Sequence, residues 1–418
     1  MNNAELHTNL QVRLTQLFVF VLPIFPALCP LVILSLGLNW LLAIVRKQFH
    51  WSWKSSRKFL PALVFFVWYA IALFWSQNLA SGSFEITTKL SFLLLPIFFN
   101  GVSFGENQLR LILKYFVLGC FVACSFLLGN ALVEFIDMKN RISAGENIHD
   151  FGINVFFKDR LSIFVHPSYM AMYLSFGIWT LYLNWKNSFL PSAFRFLAMI
   201  LFVGVSLLLV SKLGILSILL MSIFAFYELA FIQREIRKAS VLAVTLIAIF
   251  VVVITSVPQV SARFEDAIVS LRNSDNTTNS DESTAARMSI WNVSAELISQ
   301  NVWIGTGTGS TNDQLWSAYE KQGLTIAYQQ KLNAHNQFIQ TFLTVGLPGF
   351  LILLWMLLSP LIRSIFKQDR LVSGFFILMI LNITVESMFE TQAGILFFTI
   401  FYVLMIDKLS ENHQQIEN

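Results

Sequence analysis

Twelve apolar runs separated by polar stretches organise this chain. They fall at 12–26, 28–45, 59–76, 88–104, 108–134, 164–184, 194–210, 213–232, 239–256, 337–362, 371–390 and 392–407. A helix needs about 20 mostly apolar residues to cross the hydrocarbon of a bilayer. The pattern therefore predicts an all-α, polytopic integral membrane protein with about twelve transmembrane helices. Residues 12–45 are too many for one span and few for two, and Pro23, Pro26 and Pro30 interrupt them. A tight helical hairpin is expected there, because proline removes a backbone donor and disfavours helix at the residue before it. The N-terminal stretch has no basic-then-apolar signal with a small-residue cleavage site, so the first run is expected to remain as an anchor.

Composition turns this pattern into an exclusion. Of the 418 residues 56% are hydrophobic and 12% charged, against about 45–50% and about 25% in soluble domains; the mean hydropathy is +0.65. A water-soluble globular fold is ruled out. The net charge of +4 is too small to suggest nucleic-acid binding, but its distribution is informative. With the N-terminus inside, 17 of the 28 basic residues lie on one side, on short loops or helix ends such as Arg46, Lys47, Arg57, Arg234, Arg363 and Lys408. By the positive-inside rule that side is the cytoplasm, and both termini belong there. Cys29, Cys120 and Cys124 lie inside apolar runs and read as packing residues, not as a disulfide or metal set.

The chain divides into residues 1–256 with about nine spans, a long extramembrane loop at 257–336, and residues 337–418 with about three spans and a short cytoplasmic tail. The long loop carries eight acidic and five basic side chains and faces away from the cytoplasm; a shorter mixed-charge loop spans 137–163. Within the long loop, 273–284 is polar and flexible in composition. The following AARMSIWNVSAELISQ places Ile290, Val293, Leu297 and Ile298 at helical spacing, with Ser283 or Thr284 as N-cap.

Candidate chemistry gathers at this far face. Gly305, Gly307 and Gly309 have no βαβ context and read as a turn permitting close backbone approach, not a nucleotide loop. His335, beside Asn336 at the end of the loop, is either a hydrogen-bonded residue at a helix start or a general base, since imidazole titrates near neutrality untuned. Arg160 precedes His166 and Pro167 where the shorter loop meets a helix; it either snorkels at the headgroups or binds substrate. Lys212 sits between two apolar runs and is expensive there unless it reaches water or an anion. Glu386 and Glu390 are spaced one helical turn apart and either pair structurally or face a polar cavity. The far-side loops hold no Asp-x-Asp, HExxH or Cys/His cluster, so no metal and no cofactor is expected. A phosphate-bearing lipid would then meet Arg160, Lys212 and Arg287.

In this order and spacing the chain resembles the O-antigen ligase family and its relatives, the O-antigen polymerases and bacterial protein O-oligosaccharyltransferases. The motifs are Arg287-Met-Ser-Ile-Trp291, Gly305-Thr-Gly307-Thr-Gly309, His335-Asn336 and the VGLPG bend at 345–349. The resemblance implies a membrane-embedded, GT-C-like, metal-independent glycosyltransferase of the bacterial inner membrane. Such an enzyme moves a glycan from undecaprenyl pyrophosphate to the lipid A core on the periplasmic face. Arg287 and His335 match the family's loop arginine and histidine and would be catalytic. Lys212, Arg160, His166, Asn336, Glu386 and Glu390 would line the substrate site. Where the family has a Ser-Arg-Gly-like stretch, this chain has Ser211-Lys212-Leu213-Gly214; lysine keeps the charge and loses the bidentate fork. A polymerase or a protein O-oligosaccharyltransferase would use the same donor. A transporter or flippase is disfavoured by the few intramembrane charges and the lack of an inverted repeat.

Overall fold

The computed structural model describes residues 3–48, 56–146, 153–184, 190–256 and 284–414. Every regular element among them is helical, as α-helix, 3-10 turn or the π-helical turn at Glu228–Ile232, with no strand. In chain order the α-helices are α1 (Asn3–Val21), α2 (Cys29–Val45), α3 (Leu60–Ile71), α4 (Leu79–Lys89), α5 (Ser91–Phe98), α6 (Glu106–Ser143), α7 (Lys158–Leu161), α8 (Pro167–Leu183) and α9 (Ser192–Leu208). They continue with α10 (Lys212–Tyr227), α11 (Ile236–Ser256), α12 (Thr284–Gln300), α13 (Thr311–Lys321), α14 (Thr325–Gln329), α15 (Gln337–Phe366), α16 (Arg370–Val385) and α17 (Gln392–Gln414). Five stretches among the described residues are long and apolar enough to cross a membrane: Pro26–Val45, Glu106–Ser143, Lys212–Ile232, Gln337–Phe366 and Gln392–Ser410. Leu60–Trp75, Ser192–Leu208 and Arg370–Val385 are apolar and shorter.

The proline-broken start is a hairpin. α1 and α2 pack on each other across a 3-10 turn at Pro26–Leu28. Asn39 on α2 donates to the His7 carbonyl (3.1 Å) and to Gln11 Oε1 (2.9 Å), which satisfies polar groups that lipid could not. Other boundaries differ from the apolar runs for local reasons. The run 88–104 is not one helix, since α4 ends at Lys89 and α5 carries Pro96. α6 continues nine residues past its run, through 135–143, where Met138, Lys139 and Arg141 are good helix formers and Met138 still finds a buried place. Most of the stretch 273–284 lies outside the described residues, as does Ser283; α12 begins at Thr284.

α8 and α17 are buried on nearly all sides and form the axis of the bundle. Phe116, Phe176, Phe375, Phe397 and Phe401 interlock there edge to face; Phe176 and Phe401 lie 4.8 Å apart, within the favoured range for aromatic pairs. Leu31, Leu34, Leu38 and Leu41 on α2 point outward, the surface that lipid would cover. The three cysteines are free and buried.

Residues 284–336 form a small helical cap whose core of Ile290, Val293, Leu315, Tyr319 and Ala327 is closed by Leu343 of α15. The glycine turn fastens this cap to α15. Gly346 interrupts α15 with φ 67° and ψ −168°, and Pro348 has no N–H to give Thr344. The freed carbonyls are taken up elsewhere. Leu343 accepts from Thr306 N (2.8 Å), Thr344 from Gly307 N (2.9 Å) and Val345 from Trp68 Nε1 (2.9 Å). In return Leu347 N donates to the Val302 carbonyl (2.9 Å). Gly305 and Gly346 are needed because a Cβ on Gly305 would lie 2.5 Å from the Thr344 oxygen, and one on Gly346 would lie 2.4 Å from that of Trp303. The turn reading of the glycines therefore holds, and their role is docking.

Candidate active site

Three helices begin around one cavity of about 250 Å³. His166 caps α8, its Nδ1 accepting from Ser168 N at 3.4 Å. Ser211 caps α10, with Gly214 N donating to its hydroxyl (3.1 Å), and the two serine hydroxyls of Ser168 and Ser211 meet at 3.3 Å. Asn336 caps α15, accepting from Phe338 N (2.9 Å) and Ile339 N (3.1 Å). Helix N-termini present unsatisfied N–H groups and partial positive charge, and such ends bind anions. Lys158, Lys212 and Arg287 add full charges to the same wall; Asp159, His335 and Glu386 complete it.

The Arg-x-x-x-Trp spacing places both side chains on one face of α12. Trp291 Nε1 donates to the Ala334 carbonyl (2.9 Å), which holds the residue before His335. Arg287 Nη2 donates to Glu386 Oε1 (3.1 Å), and His335 Nδ1 lies 3.2 Å from Glu386 Oε2. A carboxylate can only accept, so Nδ1 carries the proton and Nε2 the lone pair. His335 Nε2 and Arg287 Nε are buried and have no partner. One unspent acceptor and one unspent donor thus flank the cavity. Burial by itself would raise the Glu386 carboxyl; the hydrogen bond from His335, the charge that His335 and His166 carry when protonated, and the charge of Arg287 hold it below its ordinary value.

Three of the seven non-glycine residues with positive φ among the described residues stand at the same place. Lys158 (φ 52°), Val210 (φ 47°) and His335 (φ 46°) all adopt left-handed conformations and all line the cavity. Each costs on the order of 1–3 kcal/mol and persists only where its surroundings over-determine it; for a β-branched residue such as Val210 the conformation is an outlier.

Several expectations change. Arg160 is exposed and outside the cavity wall, where Lys158 stands instead. Two residues apart on a helical turn are about 200° apart in direction, so only one of them can face inward. Asn336 stands outside the cavity wall; its side-chain oxygen caps α15, and the neighbouring His335 ring rests on Glu386. Glu386 and Glu390 do not share a helix, since α16 ends at Val385, and they part company. Glu386 faces the cavity, whereas Glu390 is buried against Lys89 Nζ (3.1 Å) and Gln337 Nε2 (3.2 Å). Lys158, Asp159 and Lys89 were not singled out by the sequence. The Glu85–Lys89 spacing of four at the head of an apolar run was the available sign of a buried pair, joined at 2.6 Å. Among the described residues no group of three His, Cys, Asp or Glu side chains is arranged to hold a metal ion.

Apolar helices of membrane-spanning length define a multi-pass membrane protein, with a cation-lined cavity at the heads of three of its helices. Residues 197–354 match the family model for O-antigen ligase, a family involved in glycan transfer, which bears out over that stretch the resemblance read from the motifs. The match runs from α9 to the middle of α15 and contains Lys212, Arg287 and His335. No curated protein matches the chain.

Proposed function

We propose that this protein transfers a glycan from undecaprenyl pyrophosphate to the lipid A core at the periplasmic face of the bacterial inner membrane, without a metal. The observation that carries this reading is the pair of unspent buried atoms, His335 Nε2 and Arg287 Nε, at a cavity where three helices begin. Twelve spans with both termini cytoplasmic would put that cavity on the periplasmic side.

The chemistry follows from those groups. The donor's diphosphate sits against the heads of α8 and α10, with Lys212, Lys158 and Arg287 offsetting its charge. His335 Nε2 takes the proton of the acceptor sugar hydroxyl as that oxygen attacks the anomeric carbon. The bond from the anomeric carbon to the phosphate oxygen breaks with its electron pair on the diphosphate, and undecaprenyl pyrophosphate leaves. A single displacement inverts the anomeric carbon. Glu386 stabilises the imidazolium that forms and returns the ring to the Nδ1–H tautomer.

The test is transfer by purified protein from a lipid-linked glycan to core lipid A. His335→Ala should lower turnover by roughly 10²–10⁴-fold, the usual contribution of general base catalysis, and His335→Gln should be no better. Near-normal turnover by His335→Gln would reject the base. In a deletion strain, loss of all ladder bands with accumulated lipid-linked glycan supports ligation, whereas a surviving band of core plus one unit indicates a polymerase.

A further inference from the structure

Outside the cavity wall lies a second charged cluster, centred on a fully buried lysine. Lys89, at the end of α4, is fully buried; its Nζ donates to Glu85 Oε2 (2.6 Å) and Glu390 Oε2 (3.1 Å) and lies 5.0 Å from the centre of the Tyr69 ring. Glu85, Glu390 and Tyr69 are thus the ionisable groups facing this ammonium. Glu390 passes the link on. Its other oxygen accepts from Gln337 Nε2 (3.2 Å), and the Gln337 Oε1 accepts from Phe389 N (2.6 Å). One residue earlier, Asn336 N donates to Ser387 Oγ (3.1 Å), and the next rung is His335 on Glu386. The segments 335–337 and 386–390 are therefore buttoned together rung by rung, with Lys89 at the closed end and the histidine at the open end.

We infer that Lys89 is a positioning residue for the transfer reaction: through Glu390 and Gln337 it sets the register that places Glu386 on His335 Nδ1. The inference rests on the reading of His335 as the base. Its physical basis is twofold. Removing the ammonium leaves two buried carboxylates facing each other, a state that a buried site does not tolerate without moving or taking up a proton. Movement releases Gln337 from Glu390 and loosens the first turn of α15, and protonation of Glu390 weakens that bond by removing the acceptor's charge. His335 is held at φ 46°, a conformation that relaxes once its surroundings stop enforcing it. A misplacement of about 1 Å at reacting groups costs on the order of 10²-fold in rate.

The experiment compares purified full-length Lys89→Met, Lys89→Arg and Glu390→Gln with the wild type. It measures kcat, donor KM, melting temperature and the downfield proton resonance of a histidine Nδ1–H held by a carboxylate, assigned by its loss in His335→Gln. Lys89→Met should lose roughly 10–100-fold in kcat with donor KM little changed, and should lose the resonance. Lys89→Arg, which keeps the charge, should recover part of both. Wild-type kcat in Lys89→Met, or a loss matched by the unfolded fraction with the resonance intact, would overturn the inference. If Lys89→Met does not accumulate, Glu390→Gln decides, since it leaves Lys89 paired with Glu85; normal kcat and an intact resonance there refute the positioning role. Normal transfer by His335→Ala would instead defeat the base assignment, and the resonance would still report whether Lys89 holds the contact.

Discussion

The cavity and the glycine clasp both work through α15, and they spend strain and hydrogen bonds in opposite ways. In the clasp the left-handed positions are glycines, 305, 307 and 346, for which φ > 0 carries no steric penalty. The carbonyls freed by the α15 break at residues 343–345 all find donors. In the cavity the left-handed positions are lysine, valine and histidine, and two buried polar atoms have no partner. Single unpartnered buried atoms, such as Trp75 Nε1 and Tyr319 Oη, and single strained residues, such as Lys331 and Gln368, also occur elsewhere among the described residues. What sets the cavity apart is that both features coincide around one open space.

The contrast can be broken by substitutions that separate turnover from stability. The largest effect expected is on the cavity. Glu386→Gln should reduce turnover by up to ~10⁴-fold, the scale on which losing the acid that fixes a histidine's tautomer acts, with little change in melting temperature. Half-normal turnover in that variant would return Glu386 to the framework. Arg287→Ala should cost roughly 10²–10³-fold in transfer, as removal of one electrostatic stabiliser does, while the protein still accumulates in the membrane and activity of the wild type survives exhaustive chelation. Strict dependence on added divalent metal would contradict the cation-only reading of the diphosphate site.

The clasp should answer the other way. Gly305→Ala meets the Thr344 carbonyl in a left-handed backbone and should destabilise by about 1–3 kcal/mol, read as a lower melting temperature, with turnover per folded molecule nearly unchanged. A stable but inactive Gly305→Ala would show that the clasp takes part in catalysis. The smallest effect is in acid. Glu386 is lowered in the folded protein, so its contribution to stability is fully present above its unfolded value, about 4.3, and is lost as pH falls through the folded value. Arg287→Ala removes one of the charges that lower it, so the acid unfolding midpoint should move to higher pH. An unmoved midpoint would mean that Arg287 and Glu386 are not coupled.

Much of this arrangement was legible before any coordinates. Arg287 and Trp291 could be placed on one helix face because a spacing of four is a local fact; Trp291 holds the His335 segment and Arg287 holds the Glu386 on which that histidine rests. Prolines at 23, 26 and 30 announced the hairpin, and the VGLPG bend announced the break at Gly346. Lys158 and Arg160 could not be told apart, because the choice depends on which side of one short turn meets α10. Asn336 looked like the partner of its neighbour His335, but its position as N-cap committed its oxygen to backbone donors two and three residues on.

Sequence by itself determined what each segment is: periodicity and hydrophobic length dictate helices, proline and glycine dictate where they stop, and a charge beside an apolar run must reach water, an anion or a partner. Only the tertiary structure decided which partner. Glu386 and Glu390 have the same side chain four residues apart, yet one lines the cavity with Arg287 and His335 while the other is sealed against Lys89. Their partners lie 51, 99 and 301 residues away along the chain. No local pattern encodes contacts over such separations. They arise because packing of the apolar faces brings the ends of distant helices together, and the charges there take the neighbours that packing supplies.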